Sequence, residues 1–180
     1  MNTMNTANPT GTLPKTAPGG LSALGLKLLA MALMLCDHLW ASVASDQAWL
    51  THIGRIAFPI FAFQIAEGFA RTHDRKRYLL RMLVFAAVSE IPFNLFYAGT
   101  AVYPFHQNVM FTFVLAILLL LGVEKFRAKG RIAYLLAAAA AVVLGYALGT
   151  VTMVDYYGCG VVTVLLFYLC RGWKWGWLPE

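Results

Sequence analysis

The chain has 180 residues; 60% belong to the apolar and aromatic set AVILMFWYC and only 12% are charged, where a soluble domain carries about 25%. With a mean hydropathy of +0.67, this composition excludes a disordered chain and an ordinary water-soluble globule. A net charge of +6 and a pI of about 9.4 would suggest nucleic acid in a soluble protein; here membrane topology accounts for both, and no nucleic-acid partner is expected.

Residues 1–20 (MNTMNTANPTGTLPKTAPGG) are rich in Asn, Thr, Pro and Gly without an apolar period, which predicts a disordered tail. Six mostly apolar runs follow at about 22–43, 53–72, 78–98, 108–125, 131–149 and 155–171, each close to the length that crosses a hydrocarbon core of about 30 Å. The connections are short, so neighbouring helices are expected to pack antiparallel. The predicted fold is all-α, a polytopic transmembrane bundle over 21–172, with 173–180 as an interfacial tail. Pro59 and Pro92 predict kinks in the second and third helices, and Ala57, Ala62, Ala66 and Gly68 allow a neighbouring backbone to come close. The run 24–35 has the length of a signal-peptide core, but Lys27 within it and Asp37 and His38 before Ser42, Val43 and Ala44 argue against cleavage. Cys36, Cys159 and Cys170 lack CxxC spacing and lie in apolar runs, so neither a disulfide framework nor a metal site is expected.

The basic residues predict an orientation. Of the 14 Lys and Arg, all but Arg55 fall on one side of the predicted bundle: Lys15 and Lys27 at the first span, Arg71 to Arg81 around the second loop, Lys125 to Arg131 around the fourth, and Arg171 and Lys174 after the last. The positive-inside rule makes that side cytoplasmic, with both termini inside. Trp40, Trp49, Tyr97 and Tyr103 then mark the outer boundary, and Trp173, Trp175 and Trp177 the inner one.

Ionisable groups in mid-membrane cost about 2.5–3.5 kcal/mol on the insertion scale, so each asks for a partner or a purpose. Asp37, His38, Arg55, Glu90, Asn94, Gln107, Asn108 and Asp155 all fall in the outer half of this topology. Glu90 and Asn94, at i and i+4, share a helix face. Asp37 and His38 point about 100° apart, so if one faces a cavity the other faces a neighbouring helix. Glu67 lies toward the cytoplasm, in a stripe with Gln64 and Arg71. The structural reading of Glu90 and Arg55 is an ion pair locking two helices, and that of Asn94, Gln107 and Asn108 is interhelical hydrogen bonding. The functional reading is a polar cavity: a neutral His as base, a carboxylate to orient it, and amide or guanidinium donors for an oxyanion. Those parts fit acyl transfer; they fit proton-coupled transport equally well.

The segments LKLLAMALMLCDHLW (26–40), IGRIAFPIFAFQIAEGFARTHDRKRYLLRMLVFAAVSEIPFNLFYAG (53–99) and QNVMFTF (107–113) resemble the TraX family of inner-membrane proteins. The resemblance is strong over about 24–125 and one of character only beyond. It implies a bacterial inner-membrane protein that acetylates, since the best-known TraX protein acetylates the amino terminus of a conjugative pilus subunit and relatives carry fimbrial-assembly names. It is also distantly similar to membrane acyltransferases that draw on cytoplasmic acetyl-CoA and use an intramembrane His as base or acyl carrier. By position that role falls on His38, oriented by Asp37, with Arg55, Glu67, Glu90, Asn94, Gln107 and Asn108 as cavity residues. Arg71, Arg75, Lys76 and Arg81 would meet the coenzyme A phosphates, and the acceptor is a pilin amine or a surface glycan. A non-catalytic pilus or fimbrial assembly factor and a proton-coupled carrier are the other readings. Membrane lipid is an expected partner, and an oligomer is compatible with the apolar surface.

Overall fold

The computed structural model describes residues 22–171. The expected tails, with Lys15, Trp173, Lys174, Trp175 and Trp177, lie outside the described residues. Those residues form an all-α membrane bundle of seven helices: α1 (Ala23–Ser42), α2 (Ala48–Gly54), α3 (Ala57–Arg71), α4 (Arg75–Ala98), α5 (Val109–Lys125), α6 (Arg131–Val151) and α7 (Tyr157–Leu169). Caps written in the sequence set several ends. The Ser22 side chain accepts from Gly25 N at 3.0 Å, Asp74 from Arg77 N at 2.9 Å and Asn108 from Met110 N at 2.9 Å, each meeting a donor the first turn leaves unpaired. Gly99 ends α4 at φ +68°.

The second span is longer than its hydropathy suggested, and it is broken. It begins at Ala48, and α2 and α3 meet at Arg55 and Ile56. Pro59 has no N–H to give the Arg55 carbonyl and its ring crowds that oxygen; Phe58 N takes the carbonyl instead, at 3.3 Å. Pro92 has no such consequence, because α4 runs helical through it.

The sixth run is shorter than expected. Among the described residues five spans are long and apolar enough to cross a membrane, whereas α7 has 13 residues, about 20 Å at 1.5 Å per residue. The run expected to start at 155 begins in a loop that bends back: Met153, Tyr156 and Tyr157 have φ of +53°, +60° and +49°, a conformation that disfavours helix for residues with a Cβ.

The core is shared by α3, α5 and α7. Phe69, Ile117, Leu120, Val161, Val164 and Leu165 are fully buried there. α6 packs on α7 so closely that a Cβ on Gly158 would collide with the Tyr146 backbone. α1 rests on α2 and α3, while α4 rests on α5. Two acidic residues stitch the end carrying the basic loops: Glu67 meets both Arg71 and Arg171, and Glu124 meets Arg75 at 3.1 Å and Arg127 at 3.6 Å. Residue 171 therefore ends beside the loop that follows α3.

Candidate functional site

Because α1 and α4 pack on different partners, a cleft is left between them toward the end opposite the basic loops. It encloses about 240 Å³ and is floored by Ala57 and Phe58 of α3 and Val109 and Met110 of α5. Its polar groups are Asp37, His38, Ser89, Asn108, Asp155 and Tyr156.

The two adjacent residues of α1 do different things. Asp37 turns toward α2, where its Oδ1 accepts the Thr51 hydroxyl at 2.6 Å. Gly54 makes this approach possible, since a Cβ there would lie 2.5 Å from the Asp37 Cβ. His38 turns toward α4, with its ring 5.3 Å from that of Phe96. Its Nδ1 lies 2.7 Å from the Met34 carbonyl oxygen. A carbonyl can only accept, so Nδ1 carries the proton and Nε2 of the neutral ring is a bare lone pair. The orienting partner of His38 is thus a backbone carbonyl and not Asp37, whose carboxylate is bonded to Thr51 instead.

Glu90 and Asn108 form the second polar knot. Asn108 Nδ2 donates to Glu90 Oε2 at 2.6 Å and to the Ala86 carbonyl at 3.0 Å. Its backbone N–H also reaches Glu90 Oε2, at 3.2 Å, while its Oδ1 caps α5. Both amide protons are in use, so Asn108 joins α4 to α5 and has none left for an oxyanion. The expected Glu90–Arg55 ion pair does not form: Arg55, at the α2–α3 break, is exposed and has no ion pair among the described residues.

Other candidates fall away from the cleft. Asn94 is buried, with Nδ2 3.4 Å from the Ala101 carbonyl. Gln107 lines a separate groove between α5 and α6 and donates to the Pro104 carbonyl. Glu67 is not a cavity residue; its two arginine partners hold it at the basic end. Of the cations expected to meet phosphate, Arg71 and Arg75 are paired with Glu67 and Glu124, whereas Lys76 and Arg81 are exposed and without an ion pair among the described residues.

One group escaped sequence reading. His106 packs among the rings of Phe93, Tyr97 and Tyr157 at 5.7, 4.8 and 6.2 Å, and its Nε2 lies 3.7 Å from Asp155 Oδ1. Their loops are tied by a short parallel bridge, Gln107 N to the Met153 carbonyl and Asp155 N to the Gln107 carbonyl, each 3.0 Å. Burial holds the Asp155 carboxyl above the usual range, an effect that the His106 ring and the Tyr156 N–H offset only in part. Burial, helped by Asp155 and Asp37, pushes the Tyr156 phenol up to about 12. That hydroxyl therefore stays protonated at neutral pH. A cluster of Tyr103, Phe105 and His106 just ahead of Asn108 was the signal available in the sequence.

The TraX protein family model matches residues 22–179. The chain belongs to the TraX family. Among TraX relatives, the probable fimbrial assembly protein FimC, serogroup H1, of Dichelobacter nodosus is 31% identical over 112 residues, covering 56% of this chain and 46% of that protein. Protein TraX of Escherichia coli (strain K12) is 32% identical over 93 residues, covering 51% of this chain and 36% of that protein. The chain thus spans less than half the length of either relative. No solved structure matches it.

Proposed function

We propose that this TraX-family chain is a membrane acetyltransferase of the bacterial inner membrane, working on an acceptor linked to pilus or fimbria assembly. The observation that carries the reading is the His38–Met34 hydrogen bond, which puts the proton of a neutral ring on Nδ1 and so makes Nε2 the lone-pair nitrogen of a residue that lines the polar cleft. The acceptor amine or hydroxyl gives its proton to His38 Nε2 as its lone pair attacks the acetyl carbonyl carbon of acetyl-CoA. The C–S bond then breaks, and the coenzyme A thiolate leaves and takes the proton from the imidazolium. The products are acetylated acceptor and coenzyme A, with no net change at His38. Ser89 and the Tyr156 phenol are the neutral donors at the cleft for the developing oxyanion.

The charge pattern favours acetyl-CoA entering from the side of the basic loops. Lys76 and Arg81 are the cations left to meet its phosphates. From Arg81 to Phe96, the α4 residue whose ring lies against His38, is about 22 Å along the helix at 1.5 Å per residue, the span a thioester arm lying in the cleft would have to cover. The fimbrial-assembly name of the Dichelobacter nodosus relative favours a pilus-linked acceptor.

The test is transfer of labelled acetyl from acetyl-CoA by the purified protein in lipid vesicles, with membrane extract from piliated cells as acceptor. Label on an acceptor with the wild type, and at least 100-fold less with His38→Gln, is the expected result; removing a general base costs roughly 10²–10⁴ in rate. Label retained on His38 itself would convert the base into an acyl carrier. No label with folded wild type would overturn the enzyme reading in favour of an assembly factor.

A further inference from the structure

The cations at the basic end divide into two groups. Around the α3–α4 loop the arginines have acidic partners: Arg71 has Glu67, Arg75 has Glu124 and Arg77 has Asp74 at 3.5 Å. The α5–α6 connection is different. Its stretch KFRAKGR (125–131) carries Lys125, Arg127, Lys129 and Arg131, and no Asp or Glu follows before Asp155. Only Arg127 has an acidic partner among the described residues, Glu124 at 3.6 Å, which Arg75 already holds at 3.1 Å. Lys125, Lys129 and Arg131 are exposed and have no ion pair among the described residues. Two of the four cations are nevertheless held in place. Arg127 Cζ stands 5.4 Å from the centre of the Tyr134 ring, and Lys129 Nζ 4.8 Å from that of Phe126, contacts that draw a cation to the ring face. Past Arg131 the surface turns apolar. Ile132, Leu136 and Val143 are 75%, 67% and 69% exposed and, at i, i+4 and i+11, lie along one face of α6. From Ile132 to Val143 is about 16 Å at 1.5 Å per residue, roughly one leaflet of a hydrocarbon core of about 30 Å.

We propose that the α5–α6 loop and the adjoining face of α6 form a docking surface for an anionic phospholipid of the leaflet on the side of the basic loops. Its phosphate is met by the cations of 125–131, and an acyl chain lies along Ile132, Leu136 and Val143. Charge complementarity selects the occupant. Each Lys or Arg close to an anionic membrane surface is worth roughly fivefold in affinity, and a zwitterionic headgroup brings no net charge to meet them. A soluble phosphate would satisfy the cations and leave the strip on α6 bare, whereas a lipid covers both. Topology alone does not account for the arrangement. The positive-inside rule asks for Lys and Arg on this side, which the carboxylate-paired arginines of the α3–α4 loop already supply; it does not ask for cations held over rings and left without a carboxylate. The proposal does not depend on acetyl transfer, because Lys76 and Arg81 stand on α4 and this surface belongs to α5 and α6.

The test is native mass spectrometry of the full chain released from detergent micelles, titrated with phosphatidylglycerol, phosphatidylethanolamine or acetyl-CoA. Phosphatidylglycerol is expected to bind about tenfold tighter than phosphatidylethanolamine, or more. Lys125→Gln, Lys129→Gln and Arg131→Gln combined should remove about tenfold or more of the phosphatidylglycerol affinity. The same triple variant should bind phosphatidylethanolamine and acetyl-CoA as the wild type does, which also reports that it is folded. Phe126→Leu keeps every charge and most of the apolar volume but takes the ring from Lys129, and should weaken phosphatidylglycerol by about two- to fivefold. Lys76→Gln with Arg81→Gln, which removes charge from α4 instead, should cost phosphatidylglycerol far less than the loop triple. Equal affinity of the wild type for the two lipids overturns the proposal, as does a loss from the α4 pair as large as that from the loop triple. An unchanged affinity with Phe126→Leu overturns the ring-held site. Loss of acetyl-CoA binding with the loop triple would assign these cations to a soluble phosphate and overturn the lipid. A chain that binds no acetyl-CoA at all counts against the enzyme reading, while the two lipids still decide this one.

Discussion

Asp37–His38 and Asp155–His106 are two aspartate–histidine pairs built in opposite ways. The first is contiguous in sequence but divided in space, because neighbouring side chains on a helix diverge by about 100°. Thr51 claims the carboxylate and a backbone carbonyl claims the ring nitrogen. The second pair joins residues from two separate loops through two backbone hydrogen bonds of a bridge. Adjacency in sequence is therefore a poor guide to which carboxylate serves which imidazole. What matters is the element each side chain faces.

Three substitutions break or sharpen that contrast, in decreasing order of effect. Asn108→Ala acts on the side of the second pair. It removes the α5 cap, worth about 1 kcal/mol, and strips the half-buried Glu90 carboxylate of the Nδ2 hydrogen bond, at roughly 1.5–3 kcal/mol for a charged partner, while the backbone N–H of residue 108 stays on it. A loss of about 2–4 kcal/mol is expected, read as a lower melting temperature in detergent micelles, together with loss of order in the 105–108 loop that carries His106. Gly54→Ala acts on the first pair. The new Cβ would meet the Asp37 backbone and Cβ rather than a movable side-chain tip, so α1 must shift, at about 1–3 kcal/mol. Cysteine cross-linking between α1 and α2 would report that shift.

Thr51→Val is the mildest. It removes one hydrogen bond to a half-buried carboxylate, about 1–2 kcal/mol, and should leave the His38 tautomer untouched, because that is set by Met34. A change in the His38 ring nitrogen signals on Thr51→Val would mean that Asp37 orients the imidazole after all.

Much of this was legible in the chain. Hydropathy located the membrane helices because crossing about 30 Å of hydrocarbon demands a length that composition cannot disguise, and Asn108 was placed at the opening of the fourth run as an interhelical hydrogen-bonding group, which it is, though not as the cap it also forms. Divergence of Asp37 and His38 followed from helix geometry. The full break at Arg55 was only half visible: Pro59 predicts a disturbance, but whether a helix bends or ends depends on how its neighbours take up the freed carbonyl. The shortness of α7 was hidden, since Met153, Tyr156 and Tyr157 read as apolar while their backbone turns the left-handed way. His106 could not be assigned, because nothing local to either loop records that the other crosses it. Glu67 and the basic residues read correctly as belonging to one end, but which cations are paired depends on Arg171 and Glu124 arriving from distant helices.

The most direct measurement is the ring-nitrogen shifts of His38 by ¹⁵N NMR of the full chain in nanodiscs at neutral pH. A protonated Nδ1 with an unprotonated, lone-pair-bearing Nε2 is the predicted result, and it would present a base to the cleft without any help from Asp37. A protonated Nε2 with a bare Nδ1 would contradict the account, since that ring could neither donate to the Met34 carbonyl nor accept an acceptor's proton from the cleft.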